Sequence, residues 1–212
     1  MAEQLGLRER KKLETRQRIV DTALALFDER GFDRVPVTEI ARAADVSEAT
    51  VFNYFPSKED LVFVGMQAYE DQLVAAVAAR PAGTGAVAAF RDFVLEPRGA
   101  LASDDDGAAA VVVARSARII AGSQTLKARE QRIVDHATDA LAEILARDHK
   151  ALPGLGPWVV ANALMGINRA MTRLAQRLAS EGRSGAAVGR TVRAQGAAAF
   201  ALLEKGLGTL PV

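Results

Sequence analysis

Residues 35–58 read VPVTEIARAADVSEATVFNYFPSK, and the spacing of their apolar side chains divides them into two short helices joined by a tight turn. Val37, Ile40, Ala41 and Ala44 recur every three or four positions, which gives the first helix one apolar face. Pro36 suits its first turn, where a backbone N–H would have no partner anyway. The run Ala44-Asp45-Val46-Ser47 breaks the period. Asp45 is among the few residue types besides glycine that tolerate a left-handed turn. Val46 is placed to plug the angle between the helices, and Ser47 to cap the next one.

The second helix, Glu48 to about Phe55, turns Val51 and Phe55 inward, leaves Ala49, Thr50, Asn53 and Tyr54 outward, and sets Phe52 between the two faces. Small and hydrogen-bonding side chains on the outer face let a helix approach base edges and phosphates closely in a major groove. Upstream, a helix is predicted from about Leu13 to Arg30, with Ile19, Ala23, Leu26 and Phe27 as its buried stripe and Gly31 ending it. Downstream, Ser57 caps a fourth helix and Asp60 completes a capping box of Asp type. That helix runs to about Ala79, before Pro81, Gly83 and Gly85.

From Thr15 to about Leu61 the chain resembles the DNA-binding head of the TetR (tetracycline-repressor-like) family of bacterial regulators. The resemblance rests on Ile19, Ala23, Leu26-Phe27, Gly31-Phe32, Ile40-Ala41, Ala44-Asp45-Val46-Ser47 and the run Thr50 to Leu61. It implies an all-α protein with a three-helix helix-turn-helix head and a C-terminal helical bundle that forms a homodimer. It also implies that Thr50, Asn53 and Tyr54 meet bases or phosphates, with Ser47 and Ala49 on the same approach. Lys58 and Thr38 would hold phosphates, and Arg16 or Arg42 the flanking backbone. Three positions depart from the family pattern: Pro36 stands where a hydroxyl is usual, Asp45 where glycine is commoner, and Glu48 where a basic or neutral residue is frequent.

Charge complicates that reading. Residues 1–60 hold ten Lys/Arg against twelve Asp/Glu, whereas non-specific DNA binders normally show a basic excess. Six of the ten cations, Arg8, Arg10, Lys11, Lys12, Arg16 and Arg18, cluster at the start. Glu48 and the missing excess motivate a rival of another class: a small-molecule-binding or interaction protein whose head no longer binds DNA. Mutating Asn53 and Tyr54 separates the two.

The 212-residue chain is half apolar, 5% aromatic and free of cysteine, with a net charge of +1. Apolar residues at a helical period indicate an all-helical protein. Without cysteine there is no disulfide framework and no thiolate metal site or nucleophile. The charged N-terminus and the lack of an apolar run of about 18 residues point to a cytoplasmic chain with neither signal peptide nor membrane span. Further helices are predicted at about Gly85–Leu95, Asp105–Ala121, Thr125–Lys150, Pro157–Ser180 and Ser184–Gly206, with breaks at Pro97-Arg98-Gly99, Gly122-Ser123, 153–156 and 181–185. The expected organisation is a DNA-binding domain over 1–60 and an effector-binding and dimerisation domain over 61–212.

The last two helices carry broad apolar surface with small residues at 194, 196, 197 and 198, which suits close packing within a subunit or across a two-fold axis. The resemblance favours the second, a homodimer through those helices on a double-stranded, pseudo-palindromic DNA operator. It also implies a cavity among the middle helices for a small lipophilic effector that pivots the fourth helix. Candidate lining residues are Phe90, Phe93, Arg115, Ile119, Trp158, Asn162, Met165 and Arg169, a mostly apolar set with a few polar groups. Buried arginines would want anionic or carbonyl partners, which singles out Arg115 and Arg118. Enzymatic readings fare poorly. Asp104-Asp105-Asp106 stands alone at a helix start, where acids favour the dipole. His136 and His149 lie thirteen apart, so they form no ligand pair, and there is no Gly-rich phosphate loop. No catalytic residue, metal site or cofactor is expected.

Overall fold

Good helix formers without a breaker carry the first helix further toward the N-terminus than its apolar stripe does. In the computed structural model, which describes residues 6–96, 108–148 and 154–206, α1 spans Leu7–Arg30. Its added turns are held by the helix itself, with an Arg10–Glu14 pair one turn apart at 3.6 Å. Its buried face is Ile19, Ala23, Leu24 and Phe27; Leu26, expected on that stripe, is half-buried and Leu24 takes its place. Gly31 ends α1 at φ 84°, its N–H donating to the Phe27 carbonyl, a conformation a side chain would strain. A 3-10 turn over Phe32–Arg34 follows.

The remaining elements are α2 (Val37–Ala43), α3 (Glu48–Tyr54), α4 (Asp60–Ala78), α5 (Ala86–Leu95), α6 (Ala108–Ala121), α7 (Gln124–Asp148), α8 (Gly156–Ser180) and α9 (Gly185–Lys205). The described residues are helices and their connections, an all-α fold with an N-terminal helix-turn-helix and a C-terminal bundle. No helix among them is long and apolar enough to cross a membrane. The expected break at 97–99, the Asp104–Asp106 run and His149 lie outside the described residues.

Two compact units divide the chain. The first comprises Met1–Gly65 together with Arg115–Glu130, and the second Met66–Ala114 together with Gln131–Val212. A division at residue 60, as expected, places 115–130 in the second part; contacts place it in the first, and α4, α6 and α7 each pass from one unit to the other. Buried Ile119 and Leu126 and a set of polar bonds accompany this grouping. Asp28 of α1 receives both Arg118, bidentate at 3.0 and 3.1 Å, and Arg115 at 3.4 Å. Ser123 donates to Asp33, and Arg129 to Asp60. The two arginines singled out for an anionic partner have one, and it is an aspartate of the first unit.

The core of the first unit gathers Ile19, Phe27, Phe32, Val35, Ile40, Val51, Phe55 and Leu61, all nearly shut from solvent. Each such large side chain contributes about 1.5–3 kcal/mol of burial. In the second unit, α8 and α9 form the closest helix pair and α5 packs on both. Phe90 and Phe200 meet edge to face at 6.1 Å in its core. Gly196 lets α9 come close there: a Cβ at that position would stand 2.6 Å from Met171 Sδ.

Candidate nucleic-acid interface

A helix of seven residues has little stability of its own, because nucleation costs as much as its few bonds return. α2 and α3 are both that short, so the residues at their ends decide whether they form. Asp45 supplies the end of α2. Its φ of 53° makes it the one non-glycine in the left-handed region among the described residues. The Asp45 N–H donates to Arg42 O at 3.2 Å and the Val46 N–H to Ala41 O at 3.0 Å, the paired bonds of a Schellman stop. Ser47 then starts α3: its Oγ accepts from the Thr50 N–H at 3.0 Å and lies 2.7 Å from the Thr50 hydroxyl. Pro36, with φ −77° and ψ 154°, occupies the cap position of α2 and offers no side-chain bond.

α3 presents the outward face its sequence implies. Val51 and Phe55 are buried, Ala49, Phe52 and Asn53 are exposed, and Thr50 and Tyr54 are half-buried. Phe52, set between the two faces in the sequence, lies outward at 43% exposure. Glu48, Thr38 and Arg42 are exposed as well. Ser47 is exposed, but its hydroxyl is committed to Thr50, so its first role is to hold the helix.

Lys58 is placed differently from a free phosphate ligand. Its ammonium donates to Phe32 O at 2.9 Å and Val35 O at 3.2 Å, and sits 4.1 Å from the centre of the Phe32 ring. Two of its three donors therefore fasten the start of α4 to the segment between α1 and α2. The capping box beside it is formed: Ser57 N–H and Oγ both donate to Asp60 Oδ2, and Asp60 N–H returns to Ser57 Oγ. Arg30 and Glu39 pair between α1 and α2. Arg16 lies over the Phe55 ring at 5.2 Å, so the basic start of α1 leaves from the C-terminal end of α3. Residues 7–14 are exposed throughout.

The eight effector-site candidates fall in both units. Arg115 and Ile119 belong to the first unit, Arg115 beside Asp28 and Ile119 buried. In the second unit Phe90, Phe93 and Met165 are core, Arg169 is half-buried, and Trp158 and Asn162 are exposed. The Asn162 amide donates back to the Trp158 carbonyl. A groove of about 200 Å³ opens elsewhere in that unit, between Gln67, Glu70, Asp71 and Val74 of α4 and Ile133 and His136 of α7. None of the eight lines it. Glu70 in its wall was not among the site residues singled out from the sequence. The available signal was that Glu70 sits in register with Met66, Leu73 and Val77, an acid on the buried stripe.

Residues 19–64 match the model of the family described as "Bacterial regulatory proteins, tetR family". Over 78 residues the chain is 38% identical to the HTH-type transcriptional regulator TcmR of Streptomyces glaucescens, a match covering 37% of this chain and 34% of that protein. The chain thus spans about a third of the length of this curated relative. Among solved structures, NalD, the secondary repressor of the MexAB-OprM multidrug efflux pump in Pseudomonas aeruginosa, superposes with a TM-score of 0.55 at 18% identity. That likeness covers 90% of this chain and 97% of NalD. The SmeT–triclosan complex gives 0.53 at 20% identity, over 86% of this chain and 91% of SmeT. These structural likenesses are likenesses of fold. In its N-terminal segment, residues 19–64, the chain is thus similar to the tetR family of bacterial regulatory proteins.

Proposed function

We propose that this protein is a DNA-binding transcriptional regulator, a repressor that holds a pseudo-palindromic operator as a homodimer and lets go when a small effector binds. The observation that carries the reading is α3: a capped, seven-residue helix with Ala49 and Asn53 exposed, Thr50 and Tyr54 at its margin, and Val51 and Phe55 anchoring it. Asn53 suits adenine edges, Thr50 either a base or a phosphate, and Tyr54 a phosphate. Thr38 and Arg42, exposed on α2, flank them. NalD is a repressor and SmeT was solved with triclosan, which supports repression relieved by a small molecule.

The homodimer reading rests on the exposed faces of the last two helices. α8 leaves Trp158, Val159 and Ala170 outside, and α9 leaves Ala194, Ala197, Ala198, Ala201 and Leu202. A second copy would cover these faces and set two α3 helices one DNA turn apart, about 34–36 Å. Residues 1–60 then serve DNA and 61–212 effector and partner, in the cytoplasm where the operator is.

Fluorescence anisotropy tests the reading: the purified chain is titrated into DNA from upstream of its own gene and into scrambled DNA, across a salt series. Binding of two protomers per site, at least about a hundredfold tighter on the specific DNA, is expected. Asn53→Ala should relax specificity at one position of each half-site and cost about 1–3 kcal/mol. Equal, salt-labile binding to both DNAs, repeated after selection from a random library, would show a head that no longer reads sequence.

A further inference from the structure

The second unit contains an acid that its own fold leaves incomplete. Glu70 of α4 is 5% exposed and lines the groove against α7. A chain of donors ends on it: Tyr69 OH donates to Asn168 Oδ1 at 3.0 Å, and Asn168 Nδ2 donates to Glu70 Oε1 at 3.3 Å. The Tyr69 ring is steadied by Phe93 at 5.6 Å. Glu70 Oε2, also shut from solvent, has no hydrogen-bond partner. Burial pushes the carboxyl up to about 7, against the pull of Asn168, and Asp71 adds to the rise.

Ionised, Glu70 keeps a buried oxygen without a donor. An unmet buried polar group of this kind costs free energy that a ligand supplying the partner recovers. The sign of that ligand follows from the surroundings. Glu70 and Asp71 both line the groove, with Gln67 as a neutral polar neighbour and His136 opposite. Val74 and Ile133 add apolar wall. At about 200 Å³ the groove is smaller than the roughly 300–1,000 Å³ typical of drug-sized sites. An anion would meet two carboxylates, and a purely apolar body would leave Oε2 as it is.

We propose that the α4–α7 groove takes a small organic cation, an ammonium or amidinium on a short apolar body, with Glu70 as its counter-ion and Asn168 and Tyr69 positioning that carboxylate. This names the chemistry of the effector and rests on the regulatory reading for its consequence. Glu70 shares an unbroken helix with Leu61 and Phe63, core residues of the first unit. A cation held at Glu70 thus acts on the helix that follows α3.

Benzylamine, benzyl alcohol and benzoate, three probes of one shape and different charge, separate the possibilities when titrated calorimetrically into the full chain at about pH 8. Benzylamine should bind once per chain, at least about tenfold tighter than benzyl alcohol, with benzoate weakest. Glu70→Gln should remove that preference, and Ala75→Phe, at an exposed position in the groove wall, should block binding with Glu70 untouched. Melting curves for both variants establish that they fold. No binding of benzylamine, equal binding of all three probes, or unchanged benzylamine affinity in Glu70→Gln would each overturn the proposal. Operator affinity is measured separately. Sequence-specific DNA binding without amine binding sinks this inference alone, and amine binding without sequence-specific DNA binding sinks the regulatory reading alone.

Discussion

The two units are held together by different means. In the first, helices of seven residues are set by side chains that act within four positions of themselves: Asp45 in its left-handed turn, Ser47 on Thr50, Ser57 and Asp60 on each other. In the second, Ser184 caps α9, but helices of up to 25 residues depend less on such punctuation, and α8 and α9 are fixed by apolar packing around Phe90, Leu164 and Phe200. A short helix draws its stability from its ends, a long amphipathic one from its buried face. The first unit consequently tolerates few substitutions at its ends, while the second can change nearly every residue that keeps its volume. Under the regulatory reading proposed above, a surface that places base-reading groups within a few tenths of an ångström would gain from the first arrangement, and a body that adapts to an effector from the second.

Removing one core ring from each unit gives the largest effect. Phe27→Ala takes away a ring 5.0 Å from Phe32, and Phe200→Ala one 6.1 Å from Phe90. Each should cost about 3–5 kcal/mol in urea unfolding. Because α4, α6 and α7 pass through both units, both substitutions should shift the fluorescence of the single tryptophan, Trp158, together with far-UV circular dichroism. If Phe27→Ala left the Trp158 transition in place, the units would be independent folding bodies and the contrast between them sharper.

Glu70 is the one buried charged residue among the described residues, and its pH dependence comes next in size. Its folded value of about 7 lies above the ordinary 4.5, so the folded state binds the proton more tightly than the unfolded one. The stability this gives is complete below about pH 4.5 and is lost as pH rises through about 7, on the order of 3 kcal/mol in all. Asp71 and His136 line the same groove, and both are present in wild type and variant alike. Glu70→Gln should therefore gain stability over wild type between pH 5 and 8, read as the difference of their urea midpoints. A pH-independent difference would place the carboxyl in water.

The same contrast explains what the sequence disclosed. Turn and cap chemistry is local, so Asp45, Ser47 and the Ser57–Asp60 box were legible, and with them the α2–α3 geometry and the outward Ala49 and Asn53. Burial made by distant partners was not. Asn168 lies 98 residues from Glu70, Arg118 lies 90 from Asp28, and Lys58 lies 26 from Phe32; no spacing rule links such pairs. The effector candidates could not be sorted by spacing for the same reason, since aromatic and arginine residues on amphipathic helices serve core, surface and ion pair equally well.

Among the local devices, the two at the turn should have smaller but separable effects. Asp45→Ala forces a Cβ-bearing side chain without a local hydrogen bond into the left-handed region and should cost about 1 kcal/mol, whereas Asp45→Gly should be neutral within about 0.5 kcal/mol. Ser47→Ala removes the α3 cap and should cost about 1 kcal/mol. Hydrogen exchange at the amides of α3 would register both, with little change in α8 and α9. Equal loss of protection in the two units would show that the caps matter no more to α3 than packing does.

The smallest effect on stability should come from the start of α1, and it bears most directly on function. Residues 1–18 hold six cations against three acids, while residues 19–60, with α3, hold four against nine. Residues 7–14 are exposed, and the segment departs beside the end of α3, where Arg16 meets Phe55. Replacing Arg8, Lys11 and Lys12 together by glutamine leaves no buried group unpaired, so stability should move by no more than about 0.5 kcal/mol. Operator affinity should nonetheless fall at low salt, and the slope of log K against log salt should become shallower by up to about 2.7, roughly 0.9 for each phosphate contact removed. Specificity should survive, because phosphate contacts carry register and not sequence. An acidic reading head would then draw its attraction for DNA from an arm that reads nothing. An unchanged slope would instead assign the phosphate contacts to Arg42 and the α2–α3 face, and the motif would have to bind against its own charge.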